Sequence, residues 1–138
     1  MPKPATEYRS GRHCVFLLHA HLIFTPKYRK PVFERKHIDA MRTIFAKCCA
    51  IVGAELAEFN GESDHVHLLV NFPPTVEIAK LVNSLKGVSS RLLRKQFPDL
   101  ESRYWNNVLW SRSYFAASCG GAPLEIIRQY VEQQKTSG

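Results

Sequence analysis

No apolar run in this chain reaches the ~20 residues that a membrane-spanning helix needs, so nothing in it reads as a transmembrane segment. Its four cysteines, Cys14, Cys48, Cys49 and Cys119, show no Cys-x-x-Cys spacing. Met1-Pro2-Lys3-Pro4 does not read as a signal peptide. Together these absences predict free thiols in a reducing cytoplasm. There is no internal repeat and no low-complexity segment, which excludes repeat architectures. Acidic residues are few: 12 Asp and Glu against 19 Lys and Arg, a net charge of +7. That excess suits a polyanionic partner, and equally a merely basic soluble protein, so the placement of the charges has to decide. The length, 138 residues with 45% apolar residues, predicts one domain with a real core.

Along the chain, residues 1–11 carry Pro2, Pro4 and Gly11 and are expected to form a flexible arm. His13 to Thr25 reads as one long strand, apolar on both faces as in a central strand, ended by Pro26. Lys27-Tyr28-Arg29-Lys30 is then a basic loop with an aromatic inside it, suited to a nucleic-acid backbone and one stacked base, or to solvent. Glu34 to Val52 has the three-four spacing of an amphipathic helix, through Ile38, Met41, Phe45, Cys48 and Val52, with Gly53 as its end. Ala54–Asn60 and His65–Phe72 read as an antiparallel hairpin. Val76 to Phe97 is the clearest helix. Its outer arc holds Lys80, Ser84, Gly87, Arg91, Arg94 and Lys95 and no acid. Solvated helix faces usually mix signs, so this arc predicts phosphate contact. A fourth strand is expected near Leu109–Ser118. Gly120-Gly121 follows, and a last helix from about residue 122 to 135. The order is strand, helix, strand, strand, helix, strand and an extra helix. It predicts an α+β sandwich: a ferredoxin-like βαββαβ core with a four-stranded antiparallel sheet plus a C-terminal helix.

The chemistry centres on Asp64-His65-Val66-His67-Leu68-Leu69-Val70. On a strand, His65 and His67 project to the same face roughly 6–7 Å apart. Two imidazoles on a rigid strand can hold one divalent cation and leave other coordination positions open. They can also be half-buried histidines satisfied by carbonyls, and His19-Ala20-His21 has the same spacing. Tyr130 and Gln134, four apart, share one face of the last helix. A Tyr hydroxyl can be a covalent nucleophile where its target is polarised, and a metal on two histidines polarises a phosphate. The Gln amide oxygen could be a third ligand, or Tyr130 could simply pack beside Ile126 and Ile127.

The combination resembles a family. Asp64-His65-Val66-His67-Leu68-Leu69 is similar to the His-hydrophobic-His motif of HUH endonucleases. Tyr130 with Gln134 on a helix after a glycine-containing linker resembles their single-tyrosine branch. The match is to the insertion-sequence 200-like transposases, which move single-stranded DNA. His21-Leu22-Ile23-Phe24 with Lys27-Tyr28-Arg29, Ser84-Leu85-Lys86-Gly87 and Leu109 to Tyr114 resemble their first strand, second helix and fourth strand. The resemblance runs from about His13 to Gln134. It implies that His65, His67 and Gln134 hold Mg²⁺ or Mn²⁺ and that Tyr130 attacks a DNA phosphate. A 5′-phosphotyrosine and a free 3′-OH would result. Such a link conserves the phosphodiester energy, so rejoining needs no nucleotide cofactor. His19 has no counterpart in the motif, and His21 matches a position that is not a ligand.

The resemblance further implies hairpin DNA ends as partner, a homodimer and a nucleoid-associated cytoplasmic protein with no membrane contact. Lys27, Tyr28, Arg29, Lys80, Lys86, Arg91, Arg94 and Lys95 would bind the nucleic acid. Gly120 and Gly121 would act as a hinge that lets the tyrosine helix of one subunit serve the His pair of the other. Rivals are a domesticated HUH nuclease acting on repeated palindromes, a replication initiator, for which no helicase region exists, and an RNA-binding domain of like topology. The RNA-binding class needs an RNP1-like run that this chain lacks.

Overall fold

The computed structural model describes residues 9–10, 15–16, 18–103, 108–118 and 131–133. Its strands are β1 (Arg9–Ser10), β2 (Val15–Phe16), β3 (His19–Phe24), β4 (Glu55–Glu62), β5 (His65–Asn71) and β6 (Phe115–Ser118). Its helices are α1 (Arg35–Ile51) and α2 (Ile78–Gln96). The main sheet has the order β4-β5-β3-β6 with antiparallel neighbours throughout. Reading its four strands in chain order gives 2-3-1-4, the expected βαββαβ topology, with β5 and β3 central.

Strand alternation divides the sheet into two faces. Ala20, Leu22 and Phe24 of β3 and Val66, Leu68 and Val70 of β5 are buried in one cluster with Met41 and Phe45 of α1 and Leu81, Val82 and Leu85 of α2. The centre is aromatic: Phe24 meets Phe45 and Trp110 edge to face, with centroids 6.0 and 5.8 Å apart. The indole N–H of Trp110 donates to Ser89 Oγ of α2 at 3.0 Å, so the polar edge of this large side chain is satisfied inside the core.

α1 begins where the N–H of Glu34 is accepted by Nδ1 of His37, three residues on. It ends at Gly53, whose φ of 78° is the left-handed conformation that closes a helix. Gly61 of β4 marks a close approach, because a Cβ there would lie 3.0 Å from Ile38 of α1. The two-residue connection Ser63-Asp64 joins β4 to β5, pairing Glu62 with His65. That turn places Asp64 immediately before the first histidine of the motif.

Several expectations need correction. The expected single strand from His13 to Thr25 is two pieces. β2 pairs with β1 in a small separate hairpin, and β3 alone joins the main sheet. Of the expected arm only Arg9 and Ser10 are described, and the Arg9 guanidinium donates to the carbonyl of Gly53 at 2.8 Å. The fourth strand is shorter than expected, Phe115–Ser118, with Trp110 forming an isolated bridge to Pro26. Residues 131–133 are helical, whereas the remainder of the expected last helix lies outside the described residues. Cys48 and Cys49 are free, buried thiols, and burial pushes Cys49 up to about 12. No helix among the described residues is long and apolar enough to cross a membrane.

Candidate active site

The sheet face turned away from α1 and α2 carries the histidines. Register places His65 opposite Glu62, His67 between Asn60 and Ile23, and His21 between Leu69 and Ala117. His65, His67 and His21 are partly buried, and the apolar members of this face, Ile23 and Leu69, are 0% and 3% exposed. This is therefore a covered, part-polar surface.

His65 is oriented by a carboxylate. Its Nδ1 lies 2.9 Å from Oδ1 of Asp64, and Oδ2 of Asp64 accepts from Nε of Arg29 at 2.6 Å. Burial works to raise the Asp64 carboxyl, but hydrogen bonds from His65 and Arg29 and the guanidinium charge outweigh it and hold it below the usual carboxylate range. The ionised carboxylate can only accept, so Nδ1 of His65 carries a proton, and in the neutral ring it is Nε2 that has the lone pair. A carboxylate behind an imidazole is the arrangement that sets a metal-binding tautomer.

His67 differs. Its Nε2 lies 2.8 Å from Nδ1 of His21, a diagonal neighbour on β3, and the two rings stack with centroids 5.0 Å apart. Burial, with His21 next in size, lowers the His67 pKa and favours the neutral ring. A neutral pair shares one proton between these nitrogens. Binding of a cation at Nε2 of His67 would replace that contact.

The donor set thus fits a divalent cation: one imidazole nitrogen is open and oriented, and a second is neutral on the same face of a rigid strand. Gln134, the expected third ligand, lies outside the described residues, as do Tyr130, Gly120 and Gly121. Residues 131–133, which directly follow Tyr130, do reach the site's edge. The carbonyl of Val131 accepts from Nη1 of Arg29 at 3.1 Å, and Glu132 pairs with the same nitrogen at 3.2 Å. The docking is onto Arg29 of the same chain.

Arg29, expected as a nucleic-acid contact of the basic loop, is turned inward. Its side chain is 12% exposed and employed by Asp64, Val131 and Glu132. The backbone explains its inward aim. Tyr28 and Arg29 both have positive φ, 60° and 52°, a conformation costing about 1–2 kcal/mol per residue for side chains of this kind. Hydrogen bonds from Arg29 N to Pro26 O and from Lys27 N to Leu109 O hold this turn. Its other consequence is that Tyr28 stands 48% exposed with Lys27 Nζ 5.7 Å from its ring centre, a surface suited to base stacking.

The basic arc of α2 is not gathered with the histidines, because α2 covers the opposite face of the sheet. Lys80 pairs with Glu77, and Nε of Arg94 donates to the carbonyl of Ser90. Arg91 and Lys95 line a groove of about 810 Å³ between α1 and α2, with Lys47 on its far side. Lys86 is part-buried, and its ammonium donates to the carbonyls of Ser111 and Ser113 at 2.8 and 3.0 Å. It lies over Phe24 and Tyr114, and burial pushes its pKa down to about 8. The structure gives this lysine to the loop that leads into β6.

A second cluster, Glu34, His37 and Asp99, brings ligand-type atoms within 4.8 Å of one another. Its chemistry is that of a helix cap. Nδ1 of His37 accepts a backbone N–H, so the proton of the neutral ring sits on Nε2 and neither nitrogen has a lone pair to give. Burial lowers the His37 pKa, and Arg103 already pairs with both Glu34 and Asp99.

Sequence reasoning missed Asp64 as the group that sets His65, although an acid directly before the motif on a two-residue turn was the available signal. His21 was set aside as a ligand, but the βαββαβ order, which makes the first and third strands central neighbours, already brings it close to the His65/His67 pair, as observed.

Comparison with known proteins agrees with this geometry. The family description "Transposase IS200 like" matches residues 14–134. The transposase of insertion sequence element IS200 from Salmonella typhimurium is 32% identical over 114 residues, covering 83% of this chain and 74% of that protein. The ISDra2 transposase TnpA of Deinococcus radiodurans is 33% identical over 128 residues, covering 93% and 91%. A crystal structure assigned as a transposase from Deinococcus radiodurans superposes with a TM-score of 0.84 at 33% identity, over 91% of this chain and 97% of that one. A REP-associated tyrosine transposase, solved with a REP hairpin, shares the fold, with a TM-score of 0.57 at 10% identity. The superposition covers 96% of this chain and 69% of that one.

Proposed function

The chain belongs to the IS200-like transposase family, and we propose that within it the protein cleaves and rejoins single-stranded DNA through a covalent 5′-phosphotyrosine on Tyr130. The observation that carries this is the site's wiring: Asp64 orients His65, and through Arg29 meets the segment directly after Tyr130. This link between His65 and the three described residues after Tyr130 supports a site shared by the histidine pair and a tyrosine helix.

His65, His67 and Gln134 would hold Mg²⁺ or Mn²⁺, and such a cation supplies Lewis-acid polarisation of a phosphate and an orienting template. The chain's own residues do the rest. Asp64 keeps the proton of His65 on Nδ1 and its lone pair on Nε2. The buried apolar neighbours Ile23 and Leu69 flank the imidazoles on the sheet face. The phenolic oxygen of Tyr130 forms a bond to phosphorus as the bond from phosphorus to the 3′ oxygen breaks. The phenolic proton is given up, and the 3′ oxygen leaves as a hydroxyl after taking one. Reversal by another 3′-OH rejoins strands without an external energy source.

Lys27 and exposed Tyr28 supply charge and a stacking surface beside the site, and the α2 arc supplies a second basic surface on the opposite layer. The hairpin held by the REP-associated relative is an example of a DNA partner on this fold. Hairpin ends are the partner we assign here, with a homodimer as the working assembly. The insertion-sequence relatives, at 32% and 33% identity, favour element ends over repeated palindromes.

Incubation with single-stranded DNA carrying the element's own ends should yield a covalent protein–DNA adduct that needs Mg²⁺ or Mn²⁺. An adduct that forms undiminished with Tyr130→Phe would remove the assignment.

A further inference from the structure

We propose that Arg29 is a positioning residue that couples docking of the segment after Tyr130 to the orientation of His65, so that cation binding and helix docking support one another. The inference rests on the reading of His65 as a cation ligand.

One guanidinium makes every link. Its Nε donates to Oδ2 of Asp64 at 2.6 Å. Its Nη1 donates to the carbonyl of Val131 at 3.1 Å and meets Glu132 at 3.2 Å. The other oxygen of the same Asp64 carboxylate holds Nδ1 of His65 at 2.9 Å. Asp64 thus sits between Arg29 and His65, and Arg29 between Asp64 and the helical segment. A planar fork with donors on several edges suits acceptors in these different directions, whereas an ammonium offers its three donors from one compact centre. The backbone is committed to this arrangement. Two successive non-glycine residues, Tyr28 and Arg29, adopt left-handed φ, and the turn is fastened to Pro26 and Leu109. Strain held in place beside a candidate site is the kind that serves positioning.

The coupling follows from sharing. If residues 131–133 leave, Arg29 loses two of its partners and holds Asp64 less firmly, so His65 is less well oriented. If a cation fixes His65, Asp64 is fixed and Arg29 is presented to the segment. Thermodynamic linkage makes the two effects equal in size.

The test uses Mn²⁺ as probe and reads two quantities, Mn²⁺ affinity by titration calorimetry and amide hydrogen exchange of residues 131–133 with and without Mn²⁺. In the wild type, Mn²⁺ should slow exchange in this segment. Arg29→Lys keeps the charge and loses the fork. It should weaken Mn²⁺ binding by about tenfold, as loss of ligand support commonly does, and speed exchange at 131–133; in a Gln134→Ala background, where the helix's own expected ligand no longer links Mn²⁺ to this segment, it should also abolish the Mn²⁺ effect on that exchange. Glu132→Ala removes one arm and should reproduce the exchange change with a smaller loss of affinity. Wild-type Mn²⁺ affinity in Arg29→Lys, or an Mn²⁺ effect on exchange that is as large in Gln134→Ala with Arg29→Lys as in Gln134→Ala alone, overturns the coupling. A lowered melting temperature with both readouts intact assigns Arg29 a structural role only, and also overturns it. His65→Ala separates the premises. If it binds Mn²⁺ as the wild type does, the cation reading is wrong and the coupling falls with it. Exchange in metal-free Arg29→Lys then still decides whether Arg29 holds the segment.

Discussion

On β5, Val66, Leu68 and Val70 face α1 and α2, and each is fully buried among aliphatic and aromatic side chains. Their alternate neighbours His65, His67 and Leu69 face the other way, where His65 and His67 have polar partners: Asp64 for one, His21 for the other. One strand, seven residues long, thus serves two purposes. On the helical side, energy comes from apolar area and close packing, which are tolerant of which partner is touched. On the histidine side, specific pairs matter, because an imidazole's lone pair is useful only if its other nitrogen is held. The rigid face is what makes the wired face dependable.

The contrast can be broken first on the wired face. His65→Ala, His67→Ala and Tyr130→Phe should each abolish the covalent adduct while leaving the melting temperature within a few degrees of wild type. Adduct on a denaturing gel and calorimetry check this together, and His19→Ala should keep measurable chemistry. If His19→Ala were dead while folded and His65→Ala active, the wrong pair would have been chosen.

On the packed face, Leu68→Ala should do the reverse. It should destabilise by about 2–5 kcal/mol in denaturant unfolding and leave adduct formation per folded molecule close to normal at low temperature. A dead but stable Leu68→Ala would show that the two faces are not separable.

A smaller effect sharpens the role of α2, which lies on the packed side yet carries the basic arc. Neutralising Arg91 and Arg94 together should weaken single-stranded DNA binding and flatten its dependence on log salt by about 1.4, the contribution of two phosphate contacts. An unchanged slope returns this face to solvent.

The smallest effect concerns Lys86, where the two kinds of environment meet. Burial lowers its pKa to about 8. A base with a depressed folded pKa binds its proton less tightly than in the unfolded chain, so it opposes folding below pH about 8 and stops doing so as pH rises to the ordinary lysine value near 10.4. Carbon-13 NMR of the Lys86 side chain should titrate near pH 8. An ordinary midpoint would mean that the carbonyls of Ser111 and Ser113 fully offset burial.

Much of this was legible before any coordinates. The three-four spacing from Ile38 to Cys48 is α1, and the short connection before His65 is the β4–β5 hairpin. Both are local, and local periodicity reports them directly. The run from His13 to Thr25 misled because an apolar stretch looks the same whether it is one strand or two. Only the pairing of Val15 and Phe16 with Arg9 and Ser10 divides it. The basic arc of α2 was legible as a face, but not which layer it would occupy. Lys86 and Arg29 both read as cations for phosphate, and each is taken by acceptors that sequence proximity does not reveal.

By itself the sequence determined the βαββαβ order of the core and the placement of His65 and His67 on one side of a strand directly after Asp64. These follow from the period of two along a strand and from the chemistry of adjacent residues. Tertiary structure alone decided the rest of the site. Arg29 reaches Asp64 across 35 positions, His21 reaches His67 across 46, and Arg29 reaches Val131 across 102. The order of elements makes the strands of His21 and His67 neighbours, but which ring atoms meet, and the left-handed turn at Tyr28 and Arg29 that aims Arg29 inward, leave no pattern in the residues nearby.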